Sequence, residues 1–239
     1  MGRLRDLRKT VLAALEADPW PAGLAALEDV RPKTLLGPLY ACLLEPDERV
    51  RWRAASAFGR TVARLFDEKP EDARQLVRQF MWRLNEESGN VAWGIPEAFG
   101  EILAAQPELA REFHRVLASY INDRDCATGD NYLELCPLRR GVYWALGRLA
   151  EARPELALPA LDDLLLAFGG DDPQSRGLAA WAVGSLLPLA GEKSGPALDA
   201  LDALASGESG GYAFDFYHGG ELSPVSIGEL AREAMKKVA

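Results

Sequence analysis

A chain of 239 residues can hold one large domain or two small ones with a substantial core. Its 48% hydrophobic and 26% charged residues are those of a globular chain, which excludes a disordered one, and no apolar run is long enough to span a bilayer. Asp plus Glu number 36 against 27 for Lys plus Arg, a net of −9 that opposes attraction to phosphate backbones and anionic lipid.

The N-terminal stretch MGRLRDLRKTVLAALEADPW alternates Arg and Leu and lacks the apolar run of a secretory signal, so a cytoplasmic protein is expected. Residues 3–17 and about 22–30 read as two helices capping the end of a stack. TLLGPLYACLL (34–44) follows, then the turn Glu45-Pro46-Asp47 and the helical run VRWRAASAFG (50–59). Pro70 opens PEDARQLVRQFMWRL, with acids in the first turn where they suit the helix dipole. After the turn 85–90 comes VAWGIPEAFG (91–100), and then PELAREFHRVLASYI (107–121). A polar insertion, Asp123 to Glu134, precedes LRRGVYWALG (138–147). Pro154 opens PELALPALDDLLLAF, closed by Gly169-Gly170, and SRGLAAWAVG (175–184) follows. GPALDALDALA (195–205), a long Gly-rich loop at 206–223 and a final helix from Pro224 to Val238 complete a fifth pair. No strand signal matches the helical ones in strength.

Four of these segments align on a glycine preceded by Ala and a large apolar residue. The glycines, Gly59, Gly100, Gly147 and Gly184, are 41, 47 and 37 residues apart, the length of a helix pair with its turns. V-R-x-x-A-A-x-A-L-G resembles the HEAT-like repeats of the phycobilisome-lyase type, and VRWRAASAFG is close to it. The resemblance covers residues 34–190 and implies an all-α, right-handed α-solenoid of about five antiparallel helix pairs. The whole chain, 1–239, then reads as a single HEAT-like repeat domain: an N-terminal cap at 1–33, core repeats at 34–190 and a C-terminal pair at 191–239. Such repeats serve unrelated proteins, so the resemblance transfers no activity.

Numbered from each glycine as zero, positions −5, −2, −1, +2 and +3 share one helical face and are small or apolar in every repeat. That stripe is the expected core. Positions −7, −3, 0 and +1 point the other way and place one tryptophan per repeat: Trp52, Trp93, Trp144 and Trp181. With Glu97, Glu101, Arg139, Arg140 and Arg176, they form a candidate recognition groove, Trp and Arg being the residues that most often dominate binding energy. The competing reading buries some of these tryptophans between repeats. Arg51, Arg139 and Arg176 recur at position −8, either as a ladder gripping ligand carboxylates or as clamps on ion-pair partners and carbonyls. Pro96 either kinks its helix or delays its start. The loop 206–223 carries Tyr212, Phe214, Phe216 and Tyr217, which could cover the groove as a lid or fill it as a stand-in ligand.

Catalytic patterns are thin. His114 lies on a helix, and His218 sits in a Gly-rich loop with Asp215 and Glu221 nearby. There is no phosphate-cradling glycine loop and no GxSxG elbow. Cys42 reads as core; Cys126 and Cys136 form no CxxC pair and would be the sole nucleophile candidates. The expectation is a non-catalytic scaffold for a protein or peptide, with no cofactor, metal, membrane or nucleic-acid partner. The alternatives are an enzyme on the same scaffold, lyase-like or nucleobase-directed, and a structural subunit of a larger complex.

Overall fold

Proline and aspartate set the helix starts in the computed structural model, which describes residues 2–86, 92–123 and 131–238, with side chains from Asp6 onward. Pro32, Pro70, Pro107 and Pro154 each occupy the first residue of a helix, where the missing N–H has no intrahelical partner to lose. Asp47 caps one second helix, its Oδ1 accepting from the amides of Arg49 (2.8 Å) and Val50 (3.4 Å). Contacts group the chain into two compact units, residues 1–106 with 217–221, and residues 107–216 with 222–239.

The first unit holds α1 (Gly2–Glu16), α2 (Trp20–Ala25), α3 (Pro32–Cys42), α4 (Glu48–Glu68), α5 (Pro70–Leu84) and α6 (Ile95–Ala105). Helix α4 lies at its centre, packed on α1, α3, α5 and α6. The expected core stripe is buried on both second helices: Ala54, Ala57, Phe58, Thr61 and Val62 on α4, and Ile95, Ala98, Phe99, Ile102 and Leu103 on α6. Tyr40, Phe58 and Phe80 meet edge-to-face at 5.0–5.6 Å within that core. Pro96 delays its helix rather than bending it. It stands in the first turn of α6, after Gly94 in the left-handed conformation (φ 72°).

The second unit holds α7 (Pro107–Ser119), α8 (Cys136–Ala152), α9 (Pro154–Ala157), α10 (Leu161–Leu166), α11 (Pro173–Leu186), α12 (Ser194–Ser206) and α13 (Ile227–Lys236). Helix α11 packs on α8 and α13, and α12 packs on α13. The run expected as one helix from Pro154 is broken into α9, a 3-10 turn and α10, because Pro159 cannot donate to the ladder. The stripe is again buried: Val142, Ala145, Leu146, Leu149 and Ala150 on α8, and Ala179, Ala182, Val183 and Leu186 on α11 with Leu187 just after it.

The segment 206–223 departs from the expected loop. After a 3-10 turn at Glu208–Gly211, residues Ala213–His218 (β1) and Glu221–Ser226 (β2) form a two-stranded hairpin. Gly219 and Gly220, both at positive φ, supply the two-residue turn. The last helix therefore starts at Ile227, not Pro224, and Ser226 caps it in a reciprocal box with Glu229. No helix of the described residues is long and apolar enough to cross a membrane.

Candidate functional site

The repeat glycines decide what the face opposite the core can do. A Cβ on Gly59 would stand 2.7 Å from the Glu101 carbonyl oxygen, so α4 and α6 touch backbone to backbone there. In the second unit, a Cβ on Gly147 would meet the Trp181 ring at 2.2 Å, and one on Gly184 would meet Ala234 Cα at 2.6 Å. The bare glycine is thus where successive second helices approach, and what lies opposite it is buried.

This corrects half of the tryptophan row. Trp144 is 1% exposed and Trp181 6%, because Trp181 lies across Gly147 and packs on Trp144 with centroids 6.1 Å apart. Its Nε1 donates to Glu151 Oε1 (3.1 Å). Trp52 is half-buried, and Trp93, ahead of α6, is 45% exposed. The accessible aromatic surface of the row therefore belongs to the first unit.

The arginines at position −8 clamp turns. Arg51 donates to the carbonyls of Glu45 (2.9 Å) and Pro46 (3.0 Å), and Arg139 to those of Leu133 and Glu134. Arg176 donates to the Gly170 carbonyl (2.7 Å). Each satisfies carbonyls of the turn leading into its own helix, which corrects the idea of a ladder aimed at a ligand. Arg140 is also engaged, pairing with Asp172 through Nε (2.9 Å) and Nη2 (2.5 Å). Asp172 in turn caps α11, accepting from the Ser175 amide (2.9 Å) and hydroxyl (2.6 Å). Burial pushes its carboxyl up, but Arg140 and Ser175 outweigh it and hold it at about 2.

On α4 and α6 the same face is polar and acidic. Glu97 and Glu101 lie one turn apart; Ser56 donates to Glu101 Oε1 (3.0 Å) and shares a 3.1 Å hydrogen bond with the Tyr217 hydroxyl. Tyr217 stacks on Trp52 with centroids 5.2 Å apart and planes 11° from parallel. Glu97 Oε2 is buried without a hydrogen-bond partner. Burial pushes this carboxyl up to about 7, against the opposing pull of its own amide and of Arg51.

The four loop aromatics divide. Tyr217 (2% exposed) and Phe216 (8%) are packed away; Phe214 is half-buried and Tyr212 exposed. In the second unit Phe216 meets Trp181 edge-on at 4.9 Å, and Phe214 lies where a Cβ on Gly177 would stand, at 2.8 Å. Within the first unit Tyr217 thus meets positions −7 and −3 of α4, and within the second Phe214 and Phe216 meet positions −7 and −3 of α11. Two signals pointed to the hairpin: the Phe214–Phe216 alternation and the Gly-Gly dipeptide flanked by strand-like residues.

The two histidines stand on different elements, α7 and β1. His114 Nδ1 contacts the Ala110 carbonyl of its own helix (3.0 Å), and His218 is exposed. Among the described residues no group of three or more His, Cys, Asp and Glu is placed to hold a metal. The buried Cys42 thiol is pushed up to about 11, and burial together with Asp172 raises that of Cys136, so both favour the protonated form. Cys126 and most of the insertion around it lie outside the described residues.

Residues 137–186 match the family model of the HEAT-like repeat. An uncharacterized protein of Archaeoglobus fulgidus is 31% identical over 125 residues, 52% of this chain and 57% of that one, so the match spans little more than half of the relative. Among solved structures, computationally designed armadillo repeat proteins for modular peptide recognition align with a TM-score of 0.51 at 16% identity, over 97% of this chain and 91% of theirs. A designed armadillo repeat protein in complex with the peptide (KR)4 aligns with a TM-score of 0.51 at 16% identity, over 98% and 99%. An engineered protein reaches 0.52 at 15% identity, over 98% of both chains. The chain carries a HEAT-like repeat at residues 137–186 and has the all-α solenoid fold of the HEAT- and armadillo-type repeat proteins.

Proposed function

We propose that the chain is a non-catalytic scaffold that holds an extended peptide segment of a partner protein against the α4/α6 face of its first unit. The observation that carries this reading is the occupant already there. Residues at positions −7 and −3 of α4, Trp52 and Ser56, receive a tyrosine presented by a β-strand, not by a neighbouring helix. A surface that seats one extended segment has the chemistry to seat another: an aromatic plane, a hydroxyl, and carboxylates at Glu97 and Glu101. Trp93, 45% exposed in the turn that leads into α6, offers a further aromatic side chain to the same partner. A designed armadillo repeat protein in complex with the peptide (KR)4 supports the reading at the level of fold, since a helical stack of this kind there holds a peptide. The raised thiols of Cys42 and Cys136 lend no support to a nucleophilic enzyme.

Selection of a random peptide display library on the full chain tests this. Enriched peptides that lose binding to Trp93→Ala/Glu97→Gln, with helicity unchanged by circular dichroism, are the expected result. No enrichment, or peptides indifferent to both substitutions, would overturn it.

A further inference from the structure

The hairpin tip is seated as a ligand is seated. Tyr217 is 2% exposed, its ring lies flat on Trp52, and its hydroxyl meets Ser56 Oγ at 3.1 Å. Ser56 gives its own proton to Glu101 Oε1 (3.0 Å), so the oxygen facing the tyrosine is left as an acceptor and the phenol donates. The relay phenol to serine to carboxylate is polarised in one direction. It takes a neutral phenol, strands a buried acceptor if the hydroxyl is missing, and opposes a phosphate, which brings negative charge and no proton towards Glu101. The tip is fixed from the other side by Trp20, which a Cβ on Gly220 would meet at 2.5 Å. Trp20 is backed by the Arg53 guanidinium, 5.3 Å from its ring, and Arg53 is tied to the carbonyls of Leu15 and Ala17 (both 3.0 Å).

The element that delivers the tyrosine is slight: a two-stranded sheet, a structure marginal in isolation, with Glu221, Ser223 and Pro224 of β2 exposed and its other three residues half-buried.

We propose that Trp52, Ser56 and Glu101 form a tyrosine-specific site, filled in cis by Tyr217, that accepts an unphosphorylated tyrosine from an extended segment of a partner protein when the hairpin tip is released. The inference rests on the reading of the α4/α6 face as a peptide surface. Wild-type chain then binds such a segment more weakly than a chain lacking Tyr217, in proportion to the fraction of molecules with the tip released.

The test uses the full chain with Tyr217→Ala and a fluorescein-labelled peptide copying residues 213–222, read by anisotropy. Three companion peptides carry phenylalanine, alanine or phosphotyrosine in place of the tyrosine. Tighter binding to the variant than to wild type is expected. The phenylalanine peptide should bind roughly 5- to 100-fold more weakly, because it leaves the Ser56 acceptor unpaired. The alanine and phosphotyrosine peptides should not bind, and Trp52→Ala in the same variant should abolish binding of the tyrosine peptide. A folded variant that binds all four peptides alike, or none, overturns the proposal. If Tyr217→Ala lowers the melting temperature too far for anisotropy, p-cresol supplies the missing side chain as a free molecule. It should raise the melting temperature more than toluene does, and not when Trp52→Ala is added; equal effects of the two molecules, or none, overturn the proposal. A failed cradle alongside display peptides that depend on Trp93 and Glu97 would leave the scaffold reading standing, so the two failures are distinguishable.

Discussion

Two acids at the starts of second helices show how far environment outweighs residue type. Asp172 is held at about 2, below its ordinary 3.8, by Arg140 and Ser175 against the opposing effect of burial. Its contribution to stability is complete above 3.8 and is lost as pH falls towards 2. Asp172→Ala removes a helix cap and a charge pair together, and should cost about 2 kcal/mol by chemical denaturation at pH 7. Glu97 runs the other way. Burial lifts its carboxyl from 4.5 to about 7, so its stabilising share is present below 4.5 and is lost as pH rises through 7. Glu97→Gln should therefore be more stable than wild type at pH 8 by on the order of 1–3 kcal/mol, and the difference should shrink by pH 5. An equal difference at both pH values would show that the carboxyl does not titrate in this range. The cap that Asp172 makes with Ser175 is local, but the opposite directions of the two carboxyls are not legible in the sequence, because Arg140 is 32 residues away and the burial of Glu97 is set by packing.

The glycines at the aligned position act at the scale of the element. Gly147→Ala would force a methyl group into the Trp181 ring, and Gly59→Ala into the backbone of α6. Each should destabilise by about 2 kcal/mol or more, read as a lowered denaturation midpoint. Gly37 and Gly195 meet nothing beyond their chain neighbours, but each stands just before a proline (Pro38, Pro196) whose ring disfavours a Cβ on the preceding helical residue, so alanine there should change stability by less than about 1 kcal/mol, the most that helix propensity could return. The contrast separates packing from propensity. It also explains which part of the candidate site the sequence could yield. The core stripe, −5, −2, −1, +2 and +3, follows from helical period and is buried in all four repeats. The opposite face does not follow from period, because a helix in a stack has a third neighbour, the next second helix. Trp144 and Trp181 were consumed by that contact, whereas Trp93, standing before its helix begins, was not.

For the molecule as a whole, the repeat spacing and the VRWRAASAFG pattern were enough for the fold class, since a 37–47-residue period admits few architectures. The hairpin escaped because helical signals surround it and six residues of alternation are a short pattern beside them. The net charge of −9, with Glu101 on the proposed face, predicts that selected peptides carry basic side chains. Their affinity should fall between 50 and 500 mM salt, roughly the range in which the screening length drops below 10 Å; salt-independent binding would assign recognition to the aromatics alone.

Hydrogen–deuterium exchange of the full chain, with and without a display-selected peptide at saturation, tests the central claim most directly. Slower exchange confined to α4 and α6, with residues 213–222 unchanged or faster as the tip is displaced, is the predicted result. Slowing confined to first helices such as α3 and α5, or no change anywhere at saturation, would contradict it.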